Sequence, residues 1–264
     1  MTKTATLFSS IHLPPLADRI RPASLNEFIG QNHLVDDDRI ISKTLQQKKP
    51  FSMILWGPPG SGKTTLARII AKSVEVDFHE LSAVSSGVKD LRNIIATSKS
   101  NQDAGRSTIL FIDEIHRFSK SQQDALLHAV EEGVLTLIGA TTENPSFEVI
   151  SPLLSRCRTL ILKPLSANHL KRVLDRALEL DIILSKSGVT IDNKIREKLI
   201  HSAGGDARKM LNTLEVALNL INEKGIITDA ILQEALQSKT QLYDKTGDYH
   251  YDTISAFIKS VRGS

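Results

Sequence analysis

Between residues 52 and 162, short apolar runs alternate with longer segments of helical period. The runs at 52–56, 76–81, 108–112, 135–139 and 159–162 are short and largely apolar, as expected of strands covered on both faces. With helix-compatible segments between them, they predict a parallel sheet with helical crossovers. Residues 1–50 read as a polar entry in which Pro14, Pro15 and Pro22 keep the backbone extended, followed by a helix-like stretch at 37–47. Beyond Pro164 the strands stop. Leu170, Val173, Leu174, Ala177 and Leu178 fall on one helical face behind Ser166 as N-cap. A second helix fits 192–202. A third starts at Gly205-Asp206, carries Met210, Leu211, Leu214, Leu218 and Ile221 on one face and ends near Gly225; a fourth runs from a Thr228 cap to Gln237. After a Gly-Asp-Tyr turn, Ile254, Phe257, Ile258 and Val261 share one more apolar stripe. The expected class is α/β: a parallel-sheet domain over 1–164, a helical lid over 165–239, and over 240–264 a linker with the start of a further domain.

Composition narrows the function classes. The chain has 264 residues, 41% hydrophobic and 24% charged, which excludes disorder as the main state. Lys+Arg number 33 against 30 Asp+Glu, so a grip on nucleic acid must come from local patches rather than from overall charge. The single cysteine, Cys157, excludes an internal disulfide or a Cys-based zinc site and fits a reducing compartment. Flanking arginines could lower its pKa, but a buried, inert thiol is the favoured reading. No apolar run approaches the ~18 residues of a membrane span, and the first 15 residues lack signal-peptide character, so no membrane partner and a cytoplasmic address are expected. The eight histidines show no metal-ligand spacing; His116 is read as packing.

The chemistry concentrates in two places. Gly57-Pro58-Pro59-Gly60-Ser61-Gly62-Lys63-Thr64 stands between an apolar run and a helix-compatible stretch at 65–73, which is the P-loop pattern in its required context. The glycines let backbone N–H groups close on phosphate oxygens, Lys63 reaches the β- and γ-phosphates, and Thr64 binds Mg²⁺. A plain Gly/Pro turn is the bland alternative. Thr108-Ile109-Leu110-Phe111-Ile112-Asp113-Glu114 is a buried-strand run ending in two carboxylates. There Asp113 would hold the Mg²⁺ shell and Glu114 would orient and deprotonate a water; by itself the run could equally be a strand before an acidic helix start. ATP and Mg²⁺ are the implied cofactors.

Gly57 to Thr64, Phe111 to Glu114, Gly139-Ala140-Thr141-Thr142, Ser155-Arg156-Cys157 and Gly205-Asp206-Ala207-Arg208 together resemble the ordered motif series of AAA+ ATPases in the clamp-loader group. Within it, Leu16-Ala17-Asp18-Arg19-Ile20-Arg21-Pro22, Gly30-Gln31, Asp113-Glu114-Ile115-His116-Arg117-Phe118, Ala140-Thr141-Thr142-Glu143-Asn144-Pro145-Ser146-Phe147-Glu148 and Tyr243-Asp244-Lys245 are similar to the RarA/MgsA family of bacterial replication-associated recombination proteins, related to the Werner helicase-interacting protein. The resemblance implies a P-loop AAA+ domain with a helical lid that hydrolyses ATP at subunit interfaces and acts on DNA at forks, single-strand/duplex junctions or ends. It implies Thr142 as sensor 1, with Asn144 a competitor; Arg156 as a finger reaching a neighbour's site; and Arg208 as sensor 2. Against these stand a strand-end turn, a surface cation and a solvated helix residue, although a cation near a helix start favours an anionic ligand for Arg208. Backbone groups around Phe28, Ile29 and Gly30 would frame the adenine.

Lys89, Arg92, Arg117 and Lys120 are either solvated or DNA-facing. Self-association, a tetramer in the full-length protein and replication proteins as partners are implied, and the apolar stripe near residue 264 reads as the start of a truncated oligomerisation domain. A protein unfoldase would need an aromatic pore loop, absent from Ser85-Ser86-Gly87-Val88. A non-hydrolysing scaffold would usually have lost Lys63, Thr64, Asp113 or Glu114, and a nucleotide kinase would not need the Ser-Arg-Cys and Gly-Asp-x-Arg elements.

Overall fold

The structure, a computed structural model, describes residues 13–221 and 225–244. They form two compact units. One consists of residues 21–173 and 204–207, the other of residues 13–20, 174–203 and those described from 208 onward. The helix α1 (Leu16–Arg19) belongs to the second unit.

In the first unit, α2 (Asn32–Val35) and α3 (Ile40–Gln47) lead into β1 (Met53–Trp56), α4 (Lys63–Val74), β2 (Asp77–Ser82), α5 (Val88–Asp103) and β3 (Thr108–Asp113). Then come α6 (Lys120–Glu131), β4 (Thr136–Thr141), α7 (Pro145–Glu148), α8 (Ser151–Arg156), β5 (Arg158–Ile161) and α9 (Ala167–Leu180), inside which the two units divide. All five strands are parallel in the order β2-β3-β4-β1-β5, each where an apolar run predicts it. Successive residues of β3 feed opposite cores. Ile109 and Phe111 join Ile41, Leu66, Ile70 and Ile138 on one face, whereas Leu110 and Ile112 join Ile54, Leu126, Leu137 and Leu153 on the other. Double-sided burial explains why the central strands β1, β3 and β4 read as continuous apolar runs, while the edge strands β2 and β5 are more exposed. The parallel arrangement also brings every strand's carboxyl end to one edge, where ligands of open α/β sheets bind.

Two local features set the geometry at that edge. Helix α4 starts at Gly62, whose φ of 101° is open to glycine, and buries Leu66, Ala67, Ile70 and Val74 on the sheet. Gly139 in β4 has no side chain to spare: a Cβ there would lie 2.8 Å from Ile54 Cδ1 and 2.9 Å from Ile115 Cδ1. Its absence lets the turn after β3 pack directly on β4.

The second unit contains α10 (Ile182–Ser187), β6 (Thr190–Ile191), α11 (Asn193–Ala203), α12 (Ala207–Asn219), β7 (Ile226–Ile227) and α13 (Asp229–Asp244) in addition to α1. The helical period finds α9, α11, α12 and α13. It does not find α10, or the parallel pairing of β6 with β7, because six helical residues and two-residue strands are too short to show a period. Residues 13–20 join this unit through Arg19, whose guanidinium meets Asp181 at 2.6 Å and Glu215 at 2.9 Å, while the Leu16 amide donates to the same Glu215 oxygen at 3.0 Å. The stripe of Ile254, Phe257, Ile258 and Val261, with the turn before it, lies outside the described residues.

Candidate functional site

The loop between β1 and α4 is shaped by what touches its glycines. Gly60, at φ 66°, packs so closely on Asp206 that a Cβ would overlap that carboxylate, and a Cβ on Gly57 would overlap the carbonyl of Leu162. One on Gly62 would lie 2.9 Å from the Phe28 ring. The backbone is therefore gripped from three directions. Gln31, buried and itself at φ 60°, reinforces this: its amide donates to Lys163 O at 2.7 Å and Ser61 O at 3.3 Å, and its carbonyl accepts from Lys163 N at 2.9 Å. Gly57 N donates to Thr141 O at 3.2 Å, tying the loop to the end of β4. The Ser61 hydroxyl closes the turn on Pro58 O at 2.8 Å.

Lys63 opens α4 and is only 7% exposed, with Nζ 2.7 Å from Gly57 O and 3.1 Å from Pro58 O. An ammonium at the positive end of a twelve-residue helix adds to the helix-dipole potential that draws anions. The site thus suits phosphate. Arg21 adds a second cation, donating to Thr65 Oγ1 at 3.2 Å. Half-buried Ile29 precedes Gly30, where φ is 83° and a Cβ would meet Leu165 Cδ2 at 2.8 Å, so this segment is seated against the chain leaving β5.

Asp113 ends β3, two strands from β1 with β4 between them. Glu114 follows at φ 54°, a left-handed residue that turns its side chain off the strand line. Thr142 Oγ1 donates to Glu114 Oε2 over a long 3.4 Å, and His116 Nδ1 lies 3.2 Å from the same oxygen. Asn144 does something else. Its side-chain oxygen accepts from Ser146 N at 3.0 Å and caps α7, so of the two sensor-1 candidates it is Thr142 that meets Glu114. The Thr64 hydroxyl and Asp113 carboxylate are oxygen donors only, which fits Mg²⁺, a cation that keeps several waters and takes most of its other ligands from phosphate.

The structure does not place Arg156 at this edge. Arg156 ends α8, two residues before Arg158, which pairs with Met53 at the start of β1. It therefore stands at the opposite end of the sheet from its own loop. There its guanidinium pairs with Glu131 at 2.5 Å and donates to Pro152 O at 2.8 Å and Ser155 Oγ at 3.0 Å. Arg208 is exposed, the second residue of α12 in the second unit. Cys157 is half-buried, and burial pushes its thiol up to about 11, opposite to the effect of the flanking arginines. Sequence reasoning passed over the grip of Gln31 and Asp206 on the loop, the Glu131 partner of Arg156 and the contact of His116 with Glu114. The only signal for the last was that His116 stands two residues after a carboxylate.

Comparison with known proteins agrees with this geometry. The model of the Holliday junction DNA helicase RuvB P-loop domain matches residues 20–150, and that of the AAA C-terminal domain matches 185–262. Replication-associated recombination protein A of Escherichia coli K12 is 44% identical over 270 residues, covering 100% of this chain and 60% of that protein. The Bacillus subtilis protein of the same name is 42% identical over 257 residues, covering 96% and 60%. The chain thus spans about 60% of the length of these relatives. The Thermotoga maritima RuvB Holliday junction branch migration motor superposes with a TM-score of 0.65 at 29% identity, over 83% of this chain and 72% of that one. With the P-loop, the carboxylate pair and the parallel sheet in place, the chain belongs to the RarA/MgsA-like AAA+ ATPases of the RuvB and clamp-loader superfamily.

Proposed function

We propose that this chain binds ATP with Mg²⁺ and hydrolyses it as a DNA-associated switch or motor in replication-fork maintenance, recombination and repair. The observation that carries the reading is the meeting of Glu114 with Thr142 at the sheet edge that also holds the loop and buried Lys63. Backbone amides from Gly57 to Gly62 and the Lys63 ammonium would cradle the phosphates, while Ile29 and Gly30 would frame the base. Thr64 and Asp113 would hold Mg²⁺, which when bound neutralises charge on the phosphate oxygens. The Glu114 carboxylate would accept the proton of the attacking water and Thr142 would steady that geometry; Arg208 would sense the γ-phosphate from the helical unit. Phosphoryl transfer asks the protein mainly for positioning and electrostatics, and these residue types supply both.

DNA is the proposed macromolecular partner. Lys89 and Arg92 lie in the first turns of α5, Arg117 precedes α6, and Lys120 is its first residue; all four are exposed. Cations near helix starts are disfavoured by the helix dipole, so their positions on the segments after β2 and β3 suit a phosphate backbone. Self-association, as a tetramer in the longer protein, is the proposed assembly. Steady-state ATP turnover measured without DNA, with single strands, with blunt duplex and with fork DNA tests the reading. Expected are stimulation by DNA, loss of nucleotide binding in Lys63→Ala, and retained binding without turnover in Glu114→Gln. Unchanged turnover in Glu114→Gln would remove the role given to that carboxylate.

A further inference from the structure

The turn after β3 carries a side chain that the ATPase reading leaves unused. Ile115 is fully buried against Gly139, which fixes the three-residue turn Ile115–Arg117 on the sheet. That turn brings His116 between the ends of two strands. Its Nδ1 is 2.9 Å from Thr141 Oγ1, at the end of β4, and 3.2 Å from Glu114 Oε2, just beyond β3.

The surrounding chemistry assigns the proton. A carboxylate oxygen only accepts, and a ring lone pair held 3.2 Å from it would be repelled, so Nδ1 carries hydrogen. The Thr141 hydroxyl is consistent with this. It accepts from Glu143 N at 3.0 Å and donates to Glu143 O at 3.3 Å, which leaves an acceptor lone pair for the imidazole N–H. The ring nitrogen is thus hydrogen-bonded to Thr141 at the end of β4, with the Glu114 carboxylate oxygen 3.2 Å away in charge contact. His116 Nδ1 lies 3.2 Å from Glu114 Oε2, and the Thr142 hydroxyl donates to the same oxygen at 3.4 Å, so the two groups flank that carboxylate together.

We propose that His116 is a positioning residue for Glu114, holding Oε2 against the end of β4 so that Oε1 is presented to the attacking water. This rests on the reading of Glu114 as the water-orienting carboxylate. The ring acts through Glu114 and limits the arc over which that side chain swings.

ATP turnover and nucleotide affinity of His116→Ala, His116→Asn and His116→Gln test it, with Glu114→Gln alongside. Asparagine places an amide N–H near the position of Nδ1, whereas glutamine places one near Nε2 and comes closer to histidine in bulk. Positioning through Nδ1 therefore predicts that Asn restores more activity than Gln, and packing alone predicts the reverse. In His116→Ala, kcat should fall about 10- to 100-fold with KM and nucleotide affinity changed by less than about threefold, the range in which loss of an orienting partner is felt. Adding His116→Ala to Glu114→Gln should cost nothing more. Equal or better activity in Gln than in Asn, or a loss shared between KM and kcat, overturns the inference. If Glu114→Gln keeps full turnover, the reading of Glu114 has failed instead. If Glu114→Gln is inactive while His116→Ala keeps its kcat, only the role of His116 falls.

Discussion

Gly60 and Cys157 show how little at single positions is decided by residue type alone. The Gly-x-x-x-x-Gly-Lys-Thr spacing identifies the loop, but the tight constraint at Gly60 comes from Asp206, far along the chain. Gly60→Ala adds a left-handed alanine, costing about 1 kcal/mol, and must also displace the Asp206 carboxylate. Loss of nucleotide affinity with a modest fall in melting temperature is expected, and titration with a fluorescent ATP analogue against a thermal melt separates the two. Cys157 gives a pH-dependent prediction. Its thiol is raised from an ordinary value near 9 to about 11 by burial, so the burial contribution is fully present below pH 9 and is lost as pH rises toward 11. Thermal melts across that window should fall more steeply for the unsubstituted chain than for Cys157→Ala. Native Cys157 should also react with a disulfide reagent at pH 8 far more slowly than the unfolded chain does. The motif residues were legible because their types and spacing are local. Their partners, His116 for Glu114 and Glu131 for Arg156, were not, because strand register and side-chain reach decide them.

Among the elements, those long enough to repeat a pattern announced themselves. The central strands β1, β3 and β4 carry continuous apolar runs because both faces are covered, and α9 and α12 show helical stripes; α10 and the β6–β7 pair end before a pattern can form. Nor could periodicity show that α1 belongs with the helical unit. That membership rests on Arg19, whose side chain is 14% exposed, and on Asp181, whose side chain is 2% exposed. Burial opposes the charge on Asp181, yet the Arg19 guanidinium and the amides of Leu184 and Ile183 hold its carboxyl below the usual value. The stability this supplies is present above an ordinary pKa near 4 and disappears as pH falls through the lowered value. Asp181→Ala leaves the Arg19 guanidinium with Glu215 as its remaining carboxylate partner and uncaps α10, so a loss of about 2–3 kcal/mol in denaturant unfolding is expected. Lys198→Ala breaks a 2.6 Å pair with Asp229 that is exposed on both sides, and should cost about 0–1 kcal/mol. Comparable losses in the two variants would show that burial of the Arg19 pair contributes little.

For the assembled molecule, the decisive residue is Arg156. The parallel sheet puts the P-loop after Trp56 at one end of β1 and Arg156 beyond the other, since Arg158 pairs with Met53. Four strand residues separate those ends by about 13 Å. A role for Arg156 in hydrolysis therefore requires a site on another subunit, and its 2.5 Å pair with Glu131 must open for the guanidinium to reach it. Arginine fingers supplied in trans are worth about 10³–10⁵ in rate in GTPases. Arg156→Ala should accordingly abolish turnover while leaving ATP binding intact, and Lys63→Ala should be inactive through its own loop. Mixing the two tests the geometry. In a head-to-tail ring assembled at random from equal amounts, about one quarter of interfaces join an intact loop to an intact finger, and partial ATPase should return in that proportion. Glu131→Ala, which frees the finger in every subunit, should leave ATP binding unchanged and raise turnover wherever release of Arg156 limits the rate. No recovery in oligomers shown to contain both chains, or full activity in Arg156→Ala alone, would leave Arg156 as a surface cation held by Glu131.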